Sequence, residues 1–367
     1  MSFESGSIAV RMFYVRKGLP KDVVERFGKH AAPSLKSMGA MATQGWVGGR
    51  HLVDVPITEE NAYYGGYLRL ALVKAERKVP GSLLRAECML EEVAYMRAEG
   101  KPFVDRKARS EIRKDVMGRL LPTMPPTLKG IPFVYDEREH LLYAGALSES
   151  QLDAFMINFK ATTGVDLIPV NAGTAAAKLR GVNVAEWSTT SFSAEVQDDE
   201  MEDSPGLDFL TWLWFASEAR GGVFATKEHG ELAVAIEGPL LFTRAGAGAH
   251  EISLRKGLPT VSAEAKTALL SGKKLRRAKL MLARADEKWM CSFDAETFVF
   301  RGVKLPEPQE MLDPASRFQE RVLRLGDFRI LFFDLFDRFL DDRCDQKKWS
   351  ATKKEIHQWS AERGGRA

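Results

Sequence analysis

The spacing of apolar residues changes repeatedly along the first 180 residues, and these changes predict strands that alternate with helices. Alternating apolar positions predict strands at residues 8–15, 67–74, 131–136, 140–145 and 165–170. Helical spacing predicts helices at residues 21–30 and 148–163, with two more between about 82 and 122 that form a projecting segment at about 82–130. Gly45–Gly49 is predicted to be a turn that holds Trp46. Together these elements predict an α+β fold with antiparallel sheets and projecting helices.

The second half of the chain repeats this mixture and ends in helices. Its predicted strands are residues 231–236, 240–244, 250–255, 275–284 and 289–294. A helix at 206–219 is apolar on nearly all sides, which is typical of a buried helix, and a long helix is predicted at 315–343. The acidic run at 195–203 is the clearest boundary. We therefore predict an N-terminal region at 1–180, a second α+β region at 181–305 and a C-terminal helical region at 306–367.

Composition limits the classes of function. The chain is 45% hydrophobic and 28% charged, as is usual for globular proteins. Its 367 residues are enough for two or three hydrophobic cores. Fifty-three basic residues against 50 acidic ones leave a net charge of only +3, so a surface for polyanions requires local segregation of charge. Three scattered cysteines argue against a disulfide framework. We see no signal peptide and no apolar run long enough for a membrane, and we expect a cytoplasmic protein.

Three basic clusters could contact phosphate. The first, residues 101–119, holds seven basic residues against three acidic ones. On a helix, its Arg106, Arg109 and Arg113 share one face at i, i+3, i+7 spacing, and Lys114 follows directly. The alternative is a set of arginines that lie along a solvated helix without a ligand.

The other two clusters are less specific. Residues 273–284 hold six basic residues with no acid between them. If 275–284 is a regular strand, Lys274, Arg276 and Arg284 face one side, while Arg277 and Lys279 face the other. The alternative is an edge strand protected by its charges. The third cluster is the C-terminal tail, a loose polyanion binder or, given Trp349 and Trp359, a segment that docks on its own domain.

Enzyme motifs are few. The six histidines are scattered, and the sequence has no zinc pattern, phosphate-binding loop, dinucleotide fingerprint or nucleophile elbow. It predicts no cofactor and no metal site. One arrangement permits a Mg²⁺-dependent nuclease: Asp54 on one strand, with Glu76 and Lys78 at the end of the next. The simpler alternative for Glu76 and Lys78 is a charged strand end.

Several segments together resemble the RdgC family of bacterial recombination-associated DNA-binding proteins over about residues 43–170. The similar segments are Gln44-Gly45-Trp46-Val47, residues 74–80, Arg113-Lys114-Asp115-Val116 through Leu120-Leu121-Pro122, residues 133–143 and residues 167–170. After about residue 180 the chain is longer than typical members, which indicates a divergent branch. The resemblance implies an elongated, multi-part subunit.

The resemblance also implies a function. Members of this family form a ring-shaped homodimer that encircles double-stranded DNA without marked sequence preference and restrains the RecA recombinase, and the family also carries an exonuclease label. For this chain it implies a nucleoid-associated DNA-binding protein with no membrane partner. Members carry an aromatic gate residue in the loop after Leu-Leu-Pro. The corresponding loop here, predicted at Thr123–Gly130, offers only Met124 or Leu128 for that role.

The residues expected to contact DNA follow from the clusters and the resemblance. They are Arg106, Arg109, Arg113 and Lys114, then Lys78, Arg276 and Arg277. Contacts from Lys and Arg without base-reading motifs predict salt-sensitive binding that tolerates any sequence. Two other classes of function remain open. One is the nuclease that uses Asp54, Glu76 and Lys78, and the other is a protein-interaction module whose basic surfaces are only solvated.

Overall fold

The computed structural model describes residues 3–35, 38–39, 41–198, 201, 204–226, 228–244, 251–307 and 312–361. Helices and a large antiparallel sheet confirm the predicted α+β class. Among the described residues, no helix is long and apolar enough to cross a membrane. All three cysteines are free thiols.

One sheet runs through both halves of the chain. Its strands are β1 (Ile8–Tyr14), β2 (Thr43–Gly48), β3 (Tyr63–Tyr64), β4 (Tyr67–Arg77), β5 (Pro126–Asp136), β6 (Leu141–Ala144), β7 (Ile168–Pro169), β8 (Val223–Ala225), β9 (Glu231–Thr243), β10 (Glu251–Leu254), β11 (Lys274–Arg284), β12 (Glu287–Asp294) and β13 (Val299–Lys304). The main order is β10-β9-β11-β12-β13-β1-β6-β5-β4-β2. Strand β1 joins the halves, because Val10 pairs with Phe300 of β13 and Met12 pairs with Tyr143 of β6.

Helices pack on this sheet or extend from it. They are α1 (Val23–Lys29), α2 (Glu59–Ala62), α3 (Gly81–Glu99), α4 (Arg106–Leu120), α5 (Glu149–Thr163), α6 (Ala172–Arg180), α7 (Pro205–Ala219), α8 (Ala263–Leu270), α9 (Pro314–Arg343) and α10 (Gln346–Ala361). The capping box of Ser148 and Gln151 begins α5, and Pro314 stands at the first position of α9. The predicted helices at 148–163, 206–219 and 315–343 are confirmed to within a residue or two.

Two large hydrophobic cores lie on opposite faces of β1. Val10 and Met12 join the larger core, which α7, α9 and α10 cover, whereas Phe13 and Val15 join the core under α1 and α5. This split follows from the two-residue period of a strand. The helices that cover the first half of the sheet therefore lie on one face, and those that cover the second half lie on the other. The predicted domain boundaries after residues 180 and 305 stay predictions.

The predicted turn at Gly45–Gly49 is wrong, because residues 43–48 form strand β2. Trp46 is buried and donates a hydrogen bond from Nε1 to Thr162 Oγ1 at 2.8 Å. Gly45 is required because a Cβ there would lie 2.5 Å from Cα of Ala32. Glycine thus marks a close approach of two backbone segments in this strand rather than a change of direction.

Other boundaries also differ from the sequence predictions. Residues 126–130 belong to β5, so the predicted loop Thr123–Gly130 ends at residue 125. The predicted strands at 231–236 and 240–244 form the single strand β9, and α6, α8 and β13 were not predicted. Four residues of the acidic run (199, 200, 202 and 203), the glycine-rich segment Ala245–Ala249, and the tail residues Arg363 and Arg366 lie outside the described residues.

Candidate nucleic-acid interface

Helices α3 and α4 form a hairpin inserted between two paired strands. Strands β4 and β5 are in register from Leu68 and Tyr135 to their last pair, Arg77 and Pro126. The hairpin occupies the chain between these two ends, and at 19 residues α3 is about 28 Å long. The buried side chains within α3, α4 and their link are few: Leu84, Val104, Ala108 and Val116. This composition fits an element that extends away from the main cores.

Ion pairs between the two helices fix the hairpin. Arg119 donates to Glu91 at 2.9 Å and to Glu87 at 3.0 Å, and Nε of Arg109 lies 3.2 Å from Glu92. The Asp105 side chain caps α4 by accepting from the Ala108 amide at 2.9 Å, and this hydrogen bond lowers the pKa of Asp105. Arg109 and Arg119 therefore hold α4 against α3.

The opposite side of α4 carries four exposed cations. Arg106, Lys107, Arg113 and Lys114 are all exposed, and within the described parts of the chain none has a carboxylate within ion-pair distance. On a helix with 100° per residue they fall within an arc of about 120°, and they span about 12 Å along the axis. We call these four residues the α4 basic face. It places four cations that have no ion pair in the described structure on one side of a single helix.

The α4 basic face differs from the predicted arginine column. Arg106, Arg113 and Lys114 belong to it, but Arg109 turns toward α3 and pairs with Glu92. Lys107 takes its place, although the sequence had not singled out this residue. The i, i+1, i+7, i+8 spacing of these four cations was the available signal, whereas the i, i+3, i+7 spacing led to Arg109.

Lys78 lies at the base of the hairpin and is paired. Its Nζ is 2.9 Å from Glu76, whose carboxylate also meets Lys74 and Lys129, each at 3.3 Å. Hydrogen bonds from Lys78 and then Lys129 lower the pKa of Glu76 to about 2. Three lysines around one carboxylate leave a net positive charge at the point where the hairpin meets the sheet.

Arg276 and Arg277 lie on β11, in the half of the sheet away from β4 and β5. Arg277 pairs with Asp294 at 2.6 Å, whereas Arg276 contacts Glu296 at 2.8 Å and Glu251 at 3.0 Å. Nε of Arg276 is also 3.8 Å from Asp294, so two adjacent residues reach one carboxylate. The predicted separation of these two side chains onto opposite faces is wrong for this pair, because the pairing of β11 with β9 is irregular between Leu275 and Lys279.

The rest of this cluster is paired as well. Lys279 meets Glu237 at 2.8 Å, Arg284 meets Glu287 at 2.6 Å, and the buried Lys274 meets Asp208 at 2.5 Å. The partner carboxylates come from neighbouring strands and from α7. A run without acidic residues in the sequence is therefore largely neutralised in the fold.

The described part of the C-terminal tail is the helix α10, and it packs on its own domain. Trp349, Ile356 and Trp359 are buried in the larger core, and the Trp359 and Trp214 ring centroids lie 4.8 Å apart. Lys353 pairs with Asp198 at 2.5 Å. Lys347, Lys348 and Lys354 remain on the exposed side of the helix.

The two candidate gate residues lie at the root of the hairpin. The carbonyl of Met124 accepts a hydrogen bond from Arg77, and its side chain is half-buried. Leu128 pairs with Ala75 across β4 and β5 and packs on a small cluster of Val47, Ala71 and Val73. Leu128 therefore belongs to the sheet and not to a loop, and the gate role stays a prediction for both residues.

The three candidate nuclease residues are not brought together. Asp54 lies beside Gly48, which pairs with Leu70 of β4. Glu76 is six residues further along β4, so the two carboxylates are about 20 Å apart. Among the described residues, no group of three His, Cys, Asp or Glu side chains could hold a metal ion. Asp54, Glu76 and Lys78 therefore cannot share one metal in this fold.

Comparison with known proteins gives one family. Residues 20–192 match the family model described as "Putative exonuclease, RdgC". This segment covers strands β2 to β7, the α3–α4 hairpin and α5. No curated protein matches the chain.

Proposed function

We propose that the protein binds double-stranded DNA without sequence specificity. The match over residues 20–192 supports its assignment to the RdgC family, and that assignment suggests recombination-associated DNA binding. The protein binds the duplex as a ring-shaped homodimer. By occupying the duplex it restrains recombination of the RecA type, and it associates with the nucleoid.

The α4 basic face is the observation that carries the proposal. Its four cations are exposed, without an ion-pair partner in the described residues, and mounted on a helix that salt bridges hold against α3. Lys and Arg in such an array bind phosphates through charge and release counterions, which supplies affinity for any sequence. Lys78 and its neighbours at the base of the hairpin extend the positive charge toward the sheet.

The ring rests on the family resemblance and on the charge distribution. A protein that encircles a duplex needs positive charge on its inner wall only, and the net charge of +3 fits that requirement. In this arrangement the hairpins of two subunits meet beyond the sheets, with Met124 and Leu128 near their roots. A closed ring blocks a recombinase by steric occupation of the duplex, so no direct contact with RecA is needed.

Duplex binding is tested by charge reversal on the intact protein. Changing Arg106, Lys107, Arg113 and Lys114 together to Glu should weaken binding to unrelated duplexes alike, by about 100-fold or more at low salt. The slope of log affinity against log salt should fall by about three to four, since each phosphate contact contributes about 0.9. Fluorescence anisotropy across a salt series measures both.

The matched control reverses four other exposed cations without ion pairs in the described residues: Arg16, Lys17, Lys21 and Arg138. This variant should keep most of the affinity. Equal losses in the two variants would show that only overall charge matters and would remove the α4 basic face from the site.

The ring requires a separate test. Analytical ultracentrifugation should give a dimer. On closed circular DNA the dimer should survive a high-salt wash, and it should be released when a restriction enzyme cuts the circle, because a ring slides off a free end. Equal release from circular and linear DNA would contradict encirclement. RecA-mediated strand exchange should fall as the protein saturates the duplex. It should fall much less with the variant in which the four cations of the α4 basic face are changed to Glu.

The family description makes an exonuclease the second candidate. The separation of Asp54 from Glu76 argues against the nuclease site predicted from the sequence. Incubation of end-labelled linear duplex with the purified protein and Mg²⁺ tests the activity directly. We expect intact DNA, and progressive shortening from the ends that survives further purification would establish a nuclease.

A further inference from the structure

Four arginines gather around one buried carboxylate on the sheet, outside the segment that matches the family model. Arg11 is on β1, Arg276 and Arg277 are on β11, and Arg301 is on β13. Asp294 on β12 is only 2% exposed and lies within 4.0 Å of Arg276, Arg277 and Arg301. We call this group the Asp294 arginine cluster.

The contacts place these side chains close together. Asp294 is 2.6 Å from Arg277, 3.8 Å from Arg276 and 4.0 Å from Arg301. Arg11 and Arg301 converge on the start of α5, where Arg11 donates to Glu149 at 3.0 Å and Arg301 donates to the Leu147 carbonyl at 3.3 Å. Burial, then the nearby Arg277, lowers the pKa of Arg301, and Arg11 acts in the same direction.

The cluster contains donors without acceptors. Among the described residues, Nε of Arg11, Nε of Arg276 and Nη1 of Arg301 are buried and make no hydrogen bond. Arg11 as a whole is 3% exposed. Two of these donors lie near Asp294, at 3.8 Å for Arg276 and 4.0 Å for Arg301, which is too far for a hydrogen bond. A further acceptor bound here would satisfy donors that the protein itself leaves open.

The carboxylates that pair with the outer atoms of the cluster are weakly held. The side chains of Glu149, Glu296 and Glu251 are 70%, 54% and 51% exposed, respectively. Each of these carboxylates is at least half exposed, so it can turn toward water while another anion takes its place on the less exposed arginine. Asp294 is buried and remains in place, where it keeps the guanidinium groups oriented.

We propose that the Asp294 arginine cluster binds a phosphate group, with Arg11, Arg276 and Arg301 as its principal donors and Glu149 as the side chain that phosphate displaces from Arg11. The planar guanidinium group forms paired hydrogen bonds to phosphate oxygens, which suits arginine better than lysine for such a site. The phosphate belongs either to the DNA backbone, which rests on the proposed function, or to a small molecule.

Inorganic phosphate is the first probe. At millimolar phosphate, against chloride of matched ionic strength, the melting temperature of the full chain should rise by about 2–4 °C. The increase should disappear in the double variant Arg276→Gln/Arg301→Gln, which removes two of the three unsatisfied donors and leaves Arg277 on Asp294. It should persist in Arg284→Gln, which removes an arginine of the same strand that is paired with Glu287.

Glu149→Gln should strengthen phosphate binding, whereas the double variant should weaken it. The Glu149→Gln change removes the competing carboxylate from Arg11, so it should tighten phosphate binding several-fold, measured by calorimetric titration. If the arginines only stabilise the fold, the Glu149→Gln variant should bind phosphate no more tightly than wild type. That outcome, or a melting temperature that phosphate raises equally in the double variant and in wild type, would overturn the proposal.

Duplex binding separates the two sources of phosphate. If the ligand is the DNA backbone, the double variant should lose about tenfold in affinity, and its salt slope should fall by about one to two. If phosphate stabilises the chain while duplex affinity stays unchanged, the ligand is a small phosphate. If wild type fails to bind DNA but responds to phosphate, the proposed function fails and this site stands. If DNA binding depends on the α4 basic face alone and phosphate has no effect, the proposed function stands and the phosphate site fails.

Discussion

The α3–α4 hairpin and the β11–β13 part of the sheet are both rich in Arg and Lys, yet they use these residues differently. In the hairpin, Arg109 and Arg119 pair with α3, while the α4 basic face stays open to solvent. In the sheet, Arg276 and Arg277 are paired with carboxylates of other elements. A count of charges along the sequence therefore measures local composition, and the fold decides which charges remain available to a ligand.

The largest difference should appear when a carboxylate is removed from each region. Asp294→Asn leaves three arginines facing each other around a buried position, and we expect it to lower the free energy of unfolding by about 3 kcal/mol. Glu92→Gln in the hairpin breaks a pair whose arginine, Arg109, is 63% exposed, and it should cost at most about 1 kcal/mol. Urea unfolding of both variants measures this, and similar losses would contradict the distinction between the regions.

A second difference concerns packing. Leu84 is 3% exposed in an element with few buried side chains, so Leu84→Ala should destabilise the hairpin by about 2 kcal/mol. Hydrogen exchange should show this as faster exchange in α3 and α4, with β11 and β12 unchanged. The control, Leu90→Ala, changes a side chain that is 68% exposed on the same helix and should have little effect. Faster exchange throughout the sheet would mean that the hairpin and the sheet unfold together.

Two arginines of α4 should separate stability from binding. Arg119→Ala removes pairs with Glu87 and Glu91 and should cost the hairpin about 0.5–1 kcal/mol with little loss of duplex affinity. Arg113→Ala removes a cation that has no ion-pair partner among the described residues, and it should lower affinity about three- to tenfold without a change in stability. Parallel measurements of hydrogen exchange and anisotropy are needed. If both variants lost affinity equally, the paired and unpaired arginines would not differ in function.

The smallest expected effect is a pH dependence at the base of the hairpin. The pKa of Glu76 is lowered from 4.5 to about 2 by Lys78 and then Lys129. A lowered pKa in the folded state adds stability above the unfolded value of 4.5, and this stability is lost as pH falls toward 2. Glu76→Gln should flatten the acid side of the stability curve between these values. An unchanged acid side would show that the three lysines do not stabilise the Glu76 carboxylate.

Much of the fold follows from the sequence, wherever the apolar period is strong. Helices α5, α7 and α9 and strand β4 were predicted because each carries an unbroken pattern. Strand β2 was missed because its glycines are typical of a turn in the sequence. Gly45 is explained only in the folded structure, where the backbone of Ala32 lies too close for a side chain. Helix α6 is short and rich in alanine, and the glycine-containing irregularity in β13 interrupts its alternation, so neither gives a clear periodic signal.

The candidate site was predictable only in part. The sequence placed a basic helix at α4, but which cations remain unpaired depends on Glu87, Glu91 and Glu92 of α3. The partner of Arg277 is Asp294, on the neighbouring strand, and strand register brings the two together. Arg11 and Arg301 lie far apart in sequence with no motif between them. Pairing across elements is a tertiary property that local charge patterns do not encode.

The position of the hairpin within the sheet has an evolutionary consequence. Because β4 and β5 are already paired as far as Arg77 and Pro126, their ends lie only about 5 Å apart, and a tight two-residue turn could join them. Insertions or deletions between these two positions therefore need not shift the register of any strand. The length of the hairpin can thus change in evolution while the sheet that carries it keeps its structure.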